Sequence, residues 1–182
     1  MKKHLRSPLE HMLQGLAYWL AYKRETVKYL ITEHEAVGEA IQILESQLAS
    51  GYKIVKEFPY CKVCSKYSVH QHADVAIINP QGECDCIIEF KIAGSTNGGY
   101  KADIKKMANV KKDCPDIDCY VVILYSQSCN IDVPKNLVDG NGKAIKKPIP
   151  MNSTKIRVRR VCNAVCSKNA KKMKKTICIE LL

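Results

Sequence analysis

Apolar and polar residues alternate along the N-terminal part of the chain with the period of an α-helix. From Pro8 to about Tyr29, leucine and methionine side chains recur every three or four residues, which predicts an amphipathic helix. Three aromatic residues, Tyr18, Trp19 and Tyr22, lie within this segment. The helix therefore has enough apolar surface to join a core or to form an interface with a second copy of the chain.

A second helical pattern follows the first. Its apolar stripe runs from Val37 to Leu48, and Thr32 with Glu35 in front of it fits a capping box. Gly51 follows the stripe in the manner of a helix C-terminal cap. The pattern predicts a helix that packs its apolar side on a neighbouring element.

Beyond this helix the pattern changes to that of β-strands. Residues 52–60 alternate in polarity, and the segment 72–91 reads as two apolar strands joined by the polar turn Pro80-Gln81-Gly82-Glu83. A lysine-rich helix over 100–112 and a buried strand over 119–126 come next. The predicted order is helix, three strands, helix, strand.

Three charged residues interrupt the apolar hairpin. With the turn centred between Gln81 and Gly82, the antiparallel register sets Asp74 directly opposite Glu89. Lys91 follows Glu89 by two positions, so it projects from the same face. Burying charge among apolar residues is costly unless the charges are paired or hold a metal. The hairpin therefore predicts two carboxylates and an ammonium converging on one patch.

The charge of the chain favours a polyanionic partner. Its 182 residues suit one domain, and 29 Lys and Arg against 18 Asp and Glu give a net charge of +11. We expect nucleic acid rather than an anionic membrane surface, because no basic amphipathic helix with a large apolar face stands out. No apolar run approaches the length that spans a bilayer, so no membrane partner is expected.

Cysteine usage indicates a reducing compartment. The chain has ten cysteines, while its N-terminus lacks the continuous apolar core and small-residue cleavage site of a secretory signal. We therefore expect a cytoplasmic protein whose cysteines are reduced, and are either buried or bound to metal.

The hairpin and its flanking elements resemble the PD-(D/E)XK nuclease superfamily. The resemblance rests on Asp74 and on Glu89-Phe90-Lys91, and it covers about residues 32–126; His72-Ala73-Asp74 stands where the motif has proline before aspartate. It implies an α/β, restriction-endonuclease-like fold, with a central mixed β-sheet flanked by helices in the order αβββαβ. A helix over 8–29 and a C-terminal extension over 127–182 would be added to this core in a single domain.

The resemblance also implies the chemistry. Asp74 and Glu89, with the backbone carbonyl of Phe90, would hold Mg²⁺ or Mn²⁺, because such ions prefer oxygen ligands. Lys91 would orient or deprotonate the attacking water, or stabilise transition-state charge. The implied function is a metal-dependent endonuclease that hydrolyses DNA phosphodiester bonds, of a restriction or DNA-processing type.

Accessory residues are expected on both helices of the core. Many members of the superfamily carry a glutamate on the first core helix. Here the position in the apolar stripe favours Glu33, whereas distance before the Gly51-Tyr52 junction favours Glu39. On the later helix, the residues expected to face the active edge or the phosphate backbone are Tyr100, Asp103, Lys105 and Lys106.

A cysteine and histidine cluster precedes Asp74. Cys61-x2-Cys64 has the spacing of a zinc knuckle, and His70-x-His72 supplies two imidazoles that would face the same way on a strand. The cluster predicts either a structural Zn²⁺ site or a pair of reduced cysteines with unrelated histidines.

Two other functions fit the same residues. One is a non-catalytic nucleic-acid-binding module on the same fold, which would bind in a salt-sensitive way without cleavage. The other is a zinc-stabilised interaction protein, which would unfold on chelation. A nuclease that cuts both strands of DNA generally needs two sites, so a homodimer is also expected.

Overall fold

The computed structural model describes residues 2–26, 31–92, 99–126, 148–151, 154–164 and 174–182. These residues form three α-helices and seven β-strands. The helices are α1 (Arg6–Thr26), α2 (Glu33–Gln47) and α3 (Gly99–Asp113). The strands are β1 (Lys53–Pro59), β2 (His72–Ile78), β3 (Cys84–Ile92), β4 (Asp118–Ser126), β5 (Ile149–Met151), β6 (Thr154–Ala164) and β7 (Lys174–Leu181).

All seven strands belong to one mixed sheet. Their spatial order is β1-β2-β3-β4-β7-β6-β5, in which β3 and β4 are parallel and every other neighbouring pair is antiparallel. The parallel step is possible because α3 carries the chain from the end of β3 back to the start of β4. The α/β class, with a mixed sheet flanked by helices, is confirmed.

The sheet has an apolar core on each face. Alternate strand residues such as Val75 and Ile88 pack with α1 and α2 on one face. Their sequence neighbours Ala76 and Ile87 pack with α3 on the other. Because side chains alternate along a strand, Asp74 and Glu89 belong to the face that α3 covers.

The first helix is part of the fold. Its apolar stripe, which includes Met12 and Leu16, is buried against α2, β6 and β7. Tyr18 and Tyr22 point outward and are 62% and 65% exposed. None of the described helices is both long and apolar enough to cross a membrane.

The start of α2 is fixed as predicted, but its end is not. Thr32 accepts a hydrogen bond from the Glu35 N–H at 3.2 Å, and Glu35 accepts one from the Thr32 N–H at 2.8 Å, which completes the capping box. The helix ends at Gln47 with Leu48 as its C-cap, so the prediction of Gly51 as the cap is wrong. Gly51 instead has φ +91° in the turn before β1, where a Cβ atom would lie 3.2 Å from Pro80.

The hairpin has the predicted register at its functional end. Val75 pairs with Ile88, and Ala76 with Ile87, which extends to Asp74 opposite Glu89. A register shift at Ile78 is confined to the turn. The irregularity therefore leaves the face and the alignment of the two carboxylates unchanged.

The C-terminal part of the chain extends the same sheet. Strand β7 pairs with β4, and β6 and β5 follow outward from it. The predicted C-terminal extension over 127–182 contains β5, β6 and β7, whereas its residues 127–147 lie outside the described part of the chain. Most of the lysine cluster from Lys168 to Lys175 also lies outside it.

Candidate active site

Asp74 lies against the neighbouring strand through its carboxylate. Its Oδ2 atom accepts a hydrogen bond from the backbone N–H of Phe90 at 2.7 Å, and its side chain is also within hydrogen-bonding contact of Glu89. Burial raises the pKa of Asp74, the Phe90 N–H opposes that rise, and the net change is upward. The hairpin therefore brings the two predicted carboxylates together.

A third carboxylate approaches Asp74 from the edge of the sheet. Glu57 lies in β1 opposite Asp74, between the pairs Lys56–Val75 and Phe58–Ala73. Its φ of +51° is in the left-handed region, which is uncommon for a residue with a side chain. The charge of Glu57 adds to the upward shift of the Asp74 pKa.

Glu89 is the most enclosed charge of the site, at 4% exposure. Its Oε1 atom lies 2.6 Å from Nζ of Lys106, and it accepts a hydrogen bond from the Tyr60 hydroxyl. Burial raises the pKa of Glu89 to about 7; Lys106 and Tyr60 oppose the rise, while Asp74 adds to it. A carboxyl with such a pKa changes its charge near neutral pH, which is typical of functional sites.

Lys91 bridges two helices at the end of β3. Its Nζ atom donates to Oε2 of Glu33 at 3.1 Å and lies 3.9 Å from Oδ2 of Asp103. Burial alone would lower the pKa of Lys91, but Glu33, Asp103 and Asp74 outweigh it and the net shift is upward. Lys91 is therefore held as a cation beside the carboxylates.

Of the two candidate glutamates on α2, the structure brings Glu33 to the site. Glu33 is the first residue of the helix, and Lys91 reaches it from the end of β3. Glu39 lies about 9 Å further along the helix axis. The distance criterion that favoured Glu39 failed because the N-terminus of α2, rather than its middle, lies beside the site.

Helix α3 supplies two charges to the site, whereas Tyr100 of the same helix belongs to the core. Asp103 lies between Lys91 and Lys106, and burial raises its pKa against the effect of both lysines. Lys106 bonds Glu89 rather than extending freely, whereas Lys105 is exposed. Tyr100, predicted to contact nucleic acid, is only 6% exposed and packs in the core under α3, so that prediction is corrected.

Sequence reasoning missed Tyr60 and Glu57. Tyr60 follows the proline that ends β1, and its hydroxyl reaches Glu89 across 29 positions of sequence. Glu57 lies in a strand of alternating polarity like its neighbours. It differs from them in its positive φ, which the sequence does not indicate. Neither feature has a local pattern from which the contact could be predicted.

The site alternates negative and positive groups. If all are ionised, it holds two ammonium groups and four carboxylates in close contact: Lys91 and Lys106 with Glu33, Asp74, Glu89 and Asp103. The carboxylates outnumber the ammonium groups, and Glu57 beside Asp74 adds a further negative charge. In the part of the chain that the structure describes, no three His, Cys, Asp or Glu side chains converge to hold a metal by themselves. A divalent ion here would complete its shell with water, as Mg²⁺ commonly does.

The predicted zinc ligands do not form such a group either. His70 lies in the turn before β2, which begins at His72, so the prediction that both imidazoles face the same way on a strand is wrong. Cys64 instead contacts Cys114 at the end of α3, and the Cys114 thiol donates to the Val63 carbonyl at 3.4 Å. A zinc site at Cys61, Cys64, His70 and His72 stays a prediction, which metal analysis of the purified protein tests.

Comparison of the chain with protein-family models, with curated proteins and with solved structures found no match.

Proposed function

We propose that this protein is a divalent-metal-dependent nuclease that hydrolyses DNA phosphodiester bonds, built on a restriction-endonuclease-like core. One observation carries the proposal: Asp74, Glu89 and Lys91 meet on one face of the sheet, each fixed by a partner from another element. A structural ion pair needs two charges of opposite sign. An excess of carboxylates around the ammonium groups, with Glu89 buried among them, is better explained by a function that uses them.

The residues fit a bound Mg²⁺ or Mn²⁺. Asp74 and Glu89 would hold the ion, with the Phe90 carbonyl as an additional oxygen ligand. The Lys106 ammonium already bonds the Glu89 carboxylate, which shows that a cation fits beside Glu89. When bound, the metal would supply Lewis acidity and lower the pKa of a coordinated water.

Of the three roles that the resemblance implies for Lys91, deprotonation of the attacking water fits the site least well. Because its pKa is raised, Lys91 stays protonated near neutral pH and is a poor general base. As an ammonium held by Glu33 and Asp103, it would orient the attacking water or stabilise the charge that develops on the phosphate. We assign Lys91 this electrostatic role.

The charge of the chain supports DNA as the partner. The net charge is +11, and the exposed Lys101 and Lys105 extend from α3 beside the site. Lysines in such positions contact phosphate without reading sequence. A homodimer would supply the two sites that cleavage of both strands requires, and the exposed Tyr18 and Tyr22 of α1 are its proposed interface.

The expected compartment is the cytoplasm. All eight cysteines that the structure describes are free thiols. Free thiols in this number suit a reducing environment.

A non-catalytic nucleic-acid-binding module is the second candidate. It is favoured by the pairing of Glu89 with Lys106 and of Glu33 with Lys91, which neutralises part of the acidic cluster without metal. Such a module would show salt-sensitive binding and no cleavage.

Cleavage assays on a panel of nucleic acids separate the two candidates. Supercoiled, linear, single-stranded and branched DNA, together with RNA, would be incubated with Mg²⁺ and in parallel with EDTA. The nuclease proposal expects Mg²⁺-dependent cleavage of DNA that Glu89→Ala abolishes. Binding to DNA without cleavage of any substrate would instead support the binding module.

A further inference from the structure

Lys106 occupies an unusual position for a lysine in the middle of a helix. Its Nζ atom lies 2.6 Å from Oε1 of Glu89 and 3.8 Å from Oδ1 of Asp103. It also lies 5.4 Å from the centre of the Tyr60 ring, which attracts a cation. Its side chain is 32% exposed, whereas its neighbour Lys105 is an exposed residue.

Holding the Lys106 ammonium in this position costs free energy, which the two carboxylates and the Tyr60 ring offset. A helical lysine normally keeps its ammonium in water and its side chain mobile. Lys106 instead directs its ammonium to Glu89, which is 4% exposed and would otherwise be a buried carboxylate without a cation. Lys106 therefore neutralises Glu89 when no metal is present.

The two lysines of the site differ in what they bind. Lys91 pairs with Glu33 and Asp103, so its ammonium does not occupy Glu89. Lys106 bonds Oε1 of Glu89, one of the two oxygens of the carboxylate that would hold the metal ion. Only Lys106 therefore stands in direct competition with a divalent cation.

We propose that Lys106 is a built-in counter-ion of the candidate site: its ammonium holds Glu89 in the metal-free protein and must leave that carboxylate when a divalent cation binds. The inference rests on the proposed function, because it concerns the same metal site. Lys106 is a positioning residue that sets how much metal the site requires. It keeps Glu89 in place and sets a threshold concentration below which the ammonium, and not the metal, occupies the carboxylate.

Direct binding of Mn²⁺ to the full chain tests the inference. Electron paramagnetic resonance of free Mn²⁺ at about pH 8 gives the dissociation constant without any nucleic acid. Lys106→Gln keeps a hydrogen-bond donor for Glu89 but removes the competing charge, so it should lower the dissociation constant about fivefold or more. Lys112→Gln, the same change at an exposed position near the end of α3, should leave it within about twofold of the parent.

A variant that keeps the positive charge at position 106 provides a second test of the competition. Lys106→Arg retains the cation and can hold a carboxylate with two N–H donors, so Mn²⁺ should bind no more tightly than to the parent. A merely structural lysine would give weaker Mn²⁺ binding in both Lys106 variants. That result, or an unchanged dissociation constant for Lys106→Gln, overturns the inference.

Glu89→Gln separates this inference from the proposed function. If the parent binds Mn²⁺ and Glu89→Gln does not, the metal site exists, and only the effect of Lys106→Gln decides whether Lys106 competes for it. If Mn²⁺ binding is absent from the parent or independent of Glu89, the metal site itself is refuted, and the inference falls with it.

Discussion

The carboxylate of Asp74 accepts a hydrogen bond from the backbone N–H of Phe90 at 2.7 Å, which ties β2 to β3. The N–H belongs to the residue between Glu89 and Lys91. One hydrogen bond therefore fixes the position of Asp74 relative to both other members of the candidate site. It also gives a buried backbone donor its acceptor.

Two substitutions of Asp74 should separate its structural from its chemical role. Asp74→Asn keeps an oxygen that can accept the Phe90 N–H, whereas Asp74→Ala leaves that donor unsatisfied. We expect both variants to lose metal-dependent cleavage, because neither has the negative charge that holds the cation. Asp74→Ala should in addition be less stable than Asp74→Asn by about 1–3 kcal/mol in urea unfolding. Equal stability of the two variants would contradict the role of the hydrogen bond.

Glu89 should make the stability of the metal-free protein depend on pH. Its pKa is raised by burial from 4.5 to about 7, so the folded state binds a proton more tightly than the unfolded state. The stabilisation is fully present below about pH 4.5 and is lost as pH rises through about 7. We expect the free energy of unfolding of the parent, relative to Glu89→Gln, to fall by roughly 3 kcal/mol over this range.

Urea unfolding of both proteins at several pH values in the presence of EDTA measures this difference. Glu89→Gln serves as the control for the titrating groups that do not contact Glu89. A difference between the two proteins that stays constant from about pH 4.5 to 8 would show that Glu89 has an ordinary pKa.

Glu33 should matter for the reaction more than for stability. Its ion pair with Lys91 is partly exposed, so Glu33→Gln should change the free energy of unfolding by under about 1 kcal/mol. Loss of that partner leaves the Lys91 ammonium less well oriented, and we expect cleavage to slow about tenfold. Glu39→Gln, further along the same helix, is the matched control and should cleave at the parental rate. Equal cleavage rates for Glu33→Gln and Glu39→Gln would show that Glu33 does not contribute to the reaction.

The hairpin register and the start of α2 could be predicted from the sequence, because each depends on residues that are close together along the chain. The turn residues and the strand alternation set the register of Asp74 against Glu89, and the capping box set the start of α2 at Glu33. The end of α2 was predicted wrongly because Gly51 has the same left-handed conformation in a turn that it would have in a cap.

The surroundings of Glu89 could not be predicted in this way. Tyr60 and Lys106 reach it from other elements, and their contacts depend on how α3 packs on the sheet. The sequence predicts that Tyr100 faces the active edge or the phosphate backbone. Only the packing shows that it belongs to the core.

Cleavage of supercoiled DNA by Lys91→Ala measures what the Lys91 ammonium contributes to the proposed reaction. The parent, Lys91→Ala and the control Lys112→Ala would be compared in single-turnover reactions with Mg²⁺, after circular dichroism has shown that all three are folded. We expect Lys91→Ala to lose about 100-fold or more in rate and Lys112→Ala to cleave like the parent. A Lys91→Ala protein that cleaves as well as the parent would contradict the proposed mechanism.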